Sequence, residues 1–280
     1  MPGTERLLYP ADDWLFLLRA CLVPGAQGEK AWNEWQAAAG GPAALLSGQW
    51  AAAKRWWPLL WTALRRNRLD VAHDISMPLK SACAAETVRY SRCRHIASSV
   101  VSVLTGSGFE PVLLKGMALA ETVYEHPFLR HCHGIDVWIR TGDPQRAAAE
   151  LAPAFHPDPG NDARPGSPAR FSHGSGLPLQ LRGKAFEDEC LPAATPVVRG
   201  DGLLCDMLPR EYALCQACRE AGREEDFPFA WISDGWHLLR SPGSLDREQL
   251  SSIVSRSDTA GVLRERLEYL HDVFATCLAR

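Results

Sequence analysis

Between Pro111 and Arg140 the spacing of apolar positions changes character several times, and the changes predict strand, turn, helix, loop and a second strand. Val112, Leu113 and Leu114 form a continuous apolar run, too short for a helix and stopped by Lys115-Gly116, which fits a buried strand. Gly116 is the expected turn. From Met117 to Tyr124 apolar residues return at helical spacing, with Leu119, Val123 and Tyr124 on one face. His126-Pro127 ends this helix, because proline disfavours helical geometry in the residue before it. Ile135, Val137 and Ile139 then alternate with Gly134, Asp136 and Trp138, which predicts a strand carrying Asp136 on the face opposite its aliphatic neighbours.

The flanking sequence reads mostly as helix. Asp12-Asp13 is the expected cap of a helix over Trp14 to Cys21 ended by Pro24-Gly25, and a second helix runs from Glu29 to Ala39. Trp50, Trp57 and Trp61, with Leu60 and Leu64, predict one helix from Trp50 to Leu64 with an apolar face. Core packing is preferred there to a base-stacking platform, since tryptophan is mostly spent on burial. A long helix is expected from Pro78 to Leu104, with Cys83, Val88, Ile96, Val100, Val103 and Leu104 inward and Lys80, Glu86, Arg89, Arg92 and Arg94 outward. Gly106-Ser107-Gly108 follows a helix and precedes a strand, so it reads as a helix stop rather than a phosphate-cradling nest.

Beyond the central motif, Asp143 to Pro153 predicts a returning helix and His156 to Pro168 a proline-rich loop. Arg170 to His173 and Leu177 to Leu181 predict a hairpin that completes the sheet. A connecting region with Val197-Val198 follows, and helix resumes from Leu208. The expected fold class is α+β, a small mixed sheet flanked by helices with helical N- and C-terminal parts. The expected division is 1–105 helical, 106–200 α/β core and 201–280 helical.

Composition narrows the partners. The chain has 280 residues, a formal net charge of −3 and 30 basic residues that are scattered rather than clustered, so no nucleic-acid partner is expected. No stretch is apolar for long enough to cross a membrane, and charges at Glu5, Arg6, Asp12 and Asp13 interrupt any leader-like pattern, so a cytoplasmic protein is expected. Nine cysteines at irregular spacing read as reduced, buried thiols. Cys215 and Cys218 have half the spacing of a zinc site, but no second Cys/His pair accompanies them.

The run Leu113-Leu114-Lys115-Gly116-Met117-Ala118-Leu119 followed by Tyr124, then Arg130 four residues before Gly134, and Ile135-Asp136-Val137-Trp138-Ile139, resembles the uncharacterised nucleotidyltransferase family of bacteria, a branch of the polymerase-beta-like superfamily. The resemblance spans roughly residues 45–275 and is carried mainly by Leu113 to Ile139. It implies a nucleotidyltransferase-like sheet and transfer of a nucleotidyl group from Mg-NTP to a hydroxyl on a small molecule, peptide or protein. Asp136 would then be the catalytic residue and metal ligand, with Lys115, Gly116 and Arg130 on the nucleotide.

Two carboxylates at i and i+2 of a strand face the same way, close enough to hold Mg²⁺ against phosphates. Here Gly134 stands where the first aspartate of the family's Asp-x-Asp pair belongs. The family's third carboxylate would fall in Gly176 to Arg182, where this chain has Pro178, Leu179 and Gln180. That proline makes the strand an expected sheet edge.

Restoring the pair by Gly134→Asp is expected to raise Mg²⁺-dependent affinity. His131 and His133, or a residue of Glu187 to Glu189, are candidate replacement ligands, although His131 and His133 fall on the opposite alternation from Asp136. The alternative to an enzyme is a degenerate member that keeps the fold as a nucleotide-binding or partner-binding module. Lys115 is either a phosphate contact or a side chain snorkelling from a strand end, and Arg130 either a phosphate contact or half of a structural ion pair.

Overall fold

The computed structural model describes residues 8–152, 154–158, 168–183, 204–222 and 229–278. Val197-Val198, Glu187, Glu189 and most of the His156 to Pro168 stretch lie outside them. Helices α1 (Asp12–Leu22) and α2 (Ala26–Ala39) lead into two 3₁₀ segments, Pro42–Leu46 and Gly48–Trp56, and then α3 (Trp57–Arg66) and α4 (His73–Gly106). The central part follows as β1 (Pro111–Leu114), α5 (Lys115–Thr122), β2 (Ile135–Ile139), α6 (Pro144–Leu151), β3 (Phe155–Pro157), β4 (Ala169–His173), β5 (Pro178–Arg182) and β6 (Asp206–Met207). The last helices are α7 (Arg210–Arg219), α8 (Ala230–Arg240), α9 (Arg247–Arg256) and α10 (Ala260–Leu278). The chain forms two compact units, one of Met1–Val88, Ala217–Ser241 and Glu265–Arg280, the other of Arg89–Gln216 and Pro242–Arg264.

The first unit is helical and is packed around tryptophans. Trp35 meets Trp32 at 5.0 Å in a stack and Trp50 at 5.2 Å edge-on, while Trp14 lies 4.6 Å from Trp50 and 5.8 Å from both Trp56 and Phe229. The expected single helix from Trp50 to Leu64 is in fact two pieces. Trp50 has φ −103° and ψ 18°, and Trp50, Ala53 and Trp56 are the buried residues of the 3₁₀ segment, at the three-residue spacing that a 3₁₀ turn puts on one side. The α-helical period takes over only at Trp57. Trp57 is buried, but Trp61 is half-buried, with the Lys80 ammonium 5.2 Å above its ring. At α1 the N-cap is Ala11, without a side-chain cap. Asp12 and Asp13 sit in the first turn instead, where Asp13 accepts from the Trp14 N–H at 2.8 Å.

Helix α4 begins a turn earlier than Pro78 and ends at the predicted glycines, Gly108 taking φ +82°. Its C-terminal half turns Cys93, Ile96, Ala97, Val100 and Leu104 into a core, the i, i+3, i+4, i+7 stripe of an amphipathic helix. Val88 and Val103 do not share in it, at 71 % and 42 % exposure. Val103 is one residue off that stripe, and Val88 lies in the stretch Lys80 to Arg92, where no residue is buried.

The second unit is built on a mixed six-stranded sheet of order β3-β4-β5-β2-β1-β6. The predicted neighbours β1 and β2 pair antiparallel, with Leu114 opposite Asp136, and the predicted hairpin is β4 and β5. β5 also pairs parallel with β2, Asp136 opposite Gln180, so it is an interior strand and not an edge. Pro178 is tolerated because it is the first residue of that strand, where its missing N–H breaks the least pairing.

Register divides the sheet cleanly. Leu113, Ile135, Val137, Ile139, Leu179, Leu181, Phe171 and Met207 share one face and one core with α4 and α6. The other face carries Asp136, Asp206, Gln180, Arg182 and Arg170 beside the buried Leu114, Val112 and Trp138. Helix α6 is capped by Asp143, whose carboxylate accepts from the Gln145 N–H at 2.9 Å.

Trp57→Ala is expected to cost about 3–5 kcal/mol in urea unfolding. Trp61→Ala should cost clearly less, because that side chain is only partly buried; equal losses would place Trp61 in the core.

Candidate functional site

The site starts at the junction of β1 and α5. The residue that turns the chain there is Lys115, with φ +56°, and not the glycine after it. A side chain in the left-handed region costs roughly 1–2 kcal/mol, so the surroundings must hold it. Two contacts do. The Lys115 backbone N–H donates to the Gln216 amide oxygen on α7 at 3.2 Å, and the Lys115 Nζ lies 3.4 Å from Asp136 Oδ1 on β2. Gly116 is not required by space: a Cβ there would make ordinary contacts, 3.6 Å from the Arg130 guanidinium carbon and 3.7 Å from Cys132 Sγ. Arg130 is buried and donates to the His131 carbonyl.

Helix α5 is fixed at its far end by Glu121, whose side chain is 7 % exposed. It accepts from Arg94 Nε at 2.9 Å and from the Tyr90 hydroxyl. Burial, and then the bond to Glu121, pushes the Tyr90 hydroxyl pKa above its ordinary value, while the Glu121 carboxylate raises that of Arg94. Both shifts keep the network as neutral phenol, carboxylate and guanidinium.

Asp136 is flanked from both sides. Besides Lys115 it is reached by Arg182 of β5, with Nε at 3.2 Å and Nη2 at 3.1 Å, both directed at the same Oδ1. Gln180, its partner in register, orients that guanidinium by accepting from Nη2 at 2.8 Å. Two cationic side chains therefore reach the Asp136 carboxylate. The side chains of Lys115, Asp136 and Arg182 are 22 %, 18 % and 10 % exposed, so solvent screens them only in part.

Among the described residues no group of three or more His, Cys, Asp or Glu side chains converges as metal ligands would. To take Mg²⁺, Asp136 would have to give up two cations, with no second described carboxylate converging on it. The place of the first family aspartate is also closed, since a Cβ on Gly134 would lie 2.7 Å from the Pro178 carbonyl oxygen and 3.0 Å from its Cγ. A backbone oxygen cannot swing aside as a side-chain tip can, so packing against Pro178 opposes the Gly134→Asp replacement. His131 and His133 precede β2 in irregular chain, with their rings 4.5 Å apart; His131 is buried and His133 exposed.

Residues 47–154 match the model of a family described as uncharacterised nucleotidyltransferase. The nucleotidyltransferase-like span begins where the sequence resemblance begins and includes Lys115, Gly116, Arg130 and Asp136, but stops short of β5 and of the last helices. A crystal structure of an antigenic nucleotidyltransferase-like protein from Paracoccidioides brasiliensis is similar to the chain at 12% identity and a TM-score of 0.38, covering 61% of this chain and 92% of that one. No curated protein matches the chain.

Arg182, Gln180 and Gln216 were not legible as site residues. Gln180 and Arg182 share the polar parity of β5, but nothing local says that this strand lies beside β2. Gln216 lies 101 residues from Lys115, and nothing in the spacing joins the two.

Gly134→Ala is expected to cost about 1–3 kcal/mol through overpacking against Pro178. Gly134→Asp should cost at least as much and give no Mg²⁺ binding by calorimetry; a stable Gly134→Asp protein that takes up Mg²⁺ would contradict the packing argument.

Proposed function

We propose that this nucleotidyltransferase-like protein binds the phosphates of a nucleoside triphosphate through Lys115 and Arg182 without using a metal, and works as a nucleotide-binding module rather than a transfer enzyme. The observation that carries the reading is the pairing of Asp136 with both cations. A carboxylate so engaged is a poor Mg²⁺ ligand, and the two cationic side chains that reach it suit an anion. The strained backbone of Lys115 adds support, because strain of this kind persists where the surroundings impose it and clusters at ligand sites. Similarity to the nucleotidyltransferase family supports a nucleotide as the ligand, and the convergence of Lys115 and Arg182 on Asp136 supports these two as its phosphate contacts.

Nucleotidyl transfer would need carboxylates beyond the described residues, for which the sequence offers Glu187 and Glu189. With Asp136 alone, no ligand pair positions a metal to activate an acceptor hydroxyl. Fold similarity by itself does not establish that chemistry.

The test is calorimetric titration with ATP in EDTA and in Mg²⁺, with Lys115→Gly as the probe. Glycine adopts φ +56° without strain, so this variant is expected to keep its melting temperature while losing about tenfold or more in affinity, the equivalent of one charge-assisted contact. ATP binding that requires Mg²⁺, or incorporation of label from an α-labelled triphosphate, would replace this reading with the metal-dependent transferase.

A further inference from the structure

We propose that the basic surface of the first unit, formed by the end of the second 3₁₀ segment, α3 and the start of α4, docks an acidic, aspartate- and glutamate-rich stretch of a partner polypeptide. The inference uses none of the residues assigned to the phosphates and goes beyond that reading.

The distribution of charge is the first observation. From Trp35 to Leu69 the chain has five basic residues and no acidic one, although its formal net charge is −3. The second is how the fold arranges these cations. Lys54, Trp57, Trp61 and Arg65 follow at intervals of three, four and four residues, which sets them along one side of α3. Lys54 Nζ lies 5.8 Å from the centre of the Trp57 ring, and Arg65 Cζ lies 5.8 Å from that of Trp61. Lys80 comes from α4 to the same Trp61 ring, at 5.2 Å. Lys54, Arg65, Lys80 and Arg68, just past the end of α3, are exposed, and none pairs with a carboxylate among the described residues.

Helix stability does not explain the whole patch. Cations in the last turn of α3 complement its dipole, which accounts for Arg65. Lys54 stands before the N-terminus of that helix, where the same dipole is unfavourable, and Lys80 belongs to another helix. Like charges gathered without a counter-charge repel one another, a cost that an anionic partner relieves.

The aromatic contacts decide which anion fits. A nucleic-acid strand that binds by stacking needs an open ring face. Trp57 is buried, and the partly buried Trp61 has both Arg65 and Lys80 over its ring. A lipid surface needs apolar side chains free to insert, and these two rings are not. The negative charge of the rest of the chain opposes an extended polyanion, whereas a short acidic segment meets the patch alone. Carboxylates can engage Arg65 and Lys80 where they stand, and cations already held over a ring lose less freedom on binding.

The test is fluorescence anisotropy of a labelled oligoglutamate peptide titrated with the full chain at low and at physiological salt. A single-stranded oligonucleotide and vesicles of phosphatidylcholine with phosphatidylserine are titrated beside it. Saturable peptide binding that weakens with salt is expected. Arg65→Gln combined with Lys80→Gln should weaken it about tenfold at an unchanged melting temperature. Lys30→Gln removes a cation of α2 that already pairs with Glu34 at 3.6 Å, and should leave binding as it was. No peptide binding, binding indifferent to the double variant, or an equal loss in Lys30→Gln overturns the surface. Tighter binding of the oligonucleotide or of the vesicles overturns the partner assigned to it. Should the double variant fail to fold, Lys54→Gln combined with Lys80→Gln is read by the same criteria.

Discussion

Three donors on a single carboxylate oxygen are the constraint around which the sheet unit makes sense. Asp136 can receive Lys115 only because β1 lies antiparallel to β2 with Leu114 opposite Asp136, so the residue after β1 emerges beside it. It can receive Arg182 only because β5 lies parallel on the other flank, with Trp138 opposite Arg182. The apolar face of the same three strands supplies the burial that fixes this register, since a slip of one residue would exchange Val137 with Asp136. Core packing and site chemistry are therefore two faces of one register.

Charge decides what such a site can hold. Carboxylates in excess draw a divalent cation and leave it free to bridge phosphates. Cations in excess draw the phosphate directly. The strand, turn and helix that carry Lys115 lie within the span that matches the family model. The span matched by the family model, 47–154, ends before the strand that supplies Arg182, so the residue that tips the balance lies outside the part that looks most familiar.

Much of this could be read from sequence, and the failures have definite physical causes. The central strand, helix and strand were legible because Val112 to Leu114 and Ile135 to Ile139 carry unambiguous burial patterns. The turning residue was not, because a left-handed lysine is imposed by tertiary contacts to Gln216 and Asp136 and has no local signature. The tryptophan segment was misread as one helix because its first part follows a period of three residues, which brings Trp56 inside in place of a helical neighbour. Pro178 suggested an edge strand, yet at the first position of a strand it costs little pairing. Asp136 was found, Arg182 was missed, and the 46 residues between them explain why: parallel pairing across that separation leaves no trace in spacing.

The close fit of Gly134 against Pro178 has a consequence for how this sequence can change. Acidic residues at either position would be the first step back toward a divalent-cation site, but an aspartate at 134 meets a backbone oxygen at once, and one at 178 would stand next to a glycine that offers it no partner. Each step alone is unrewarded or harmful, so a second carboxylate beside Asp136 needs both positions and β5 itself to change together.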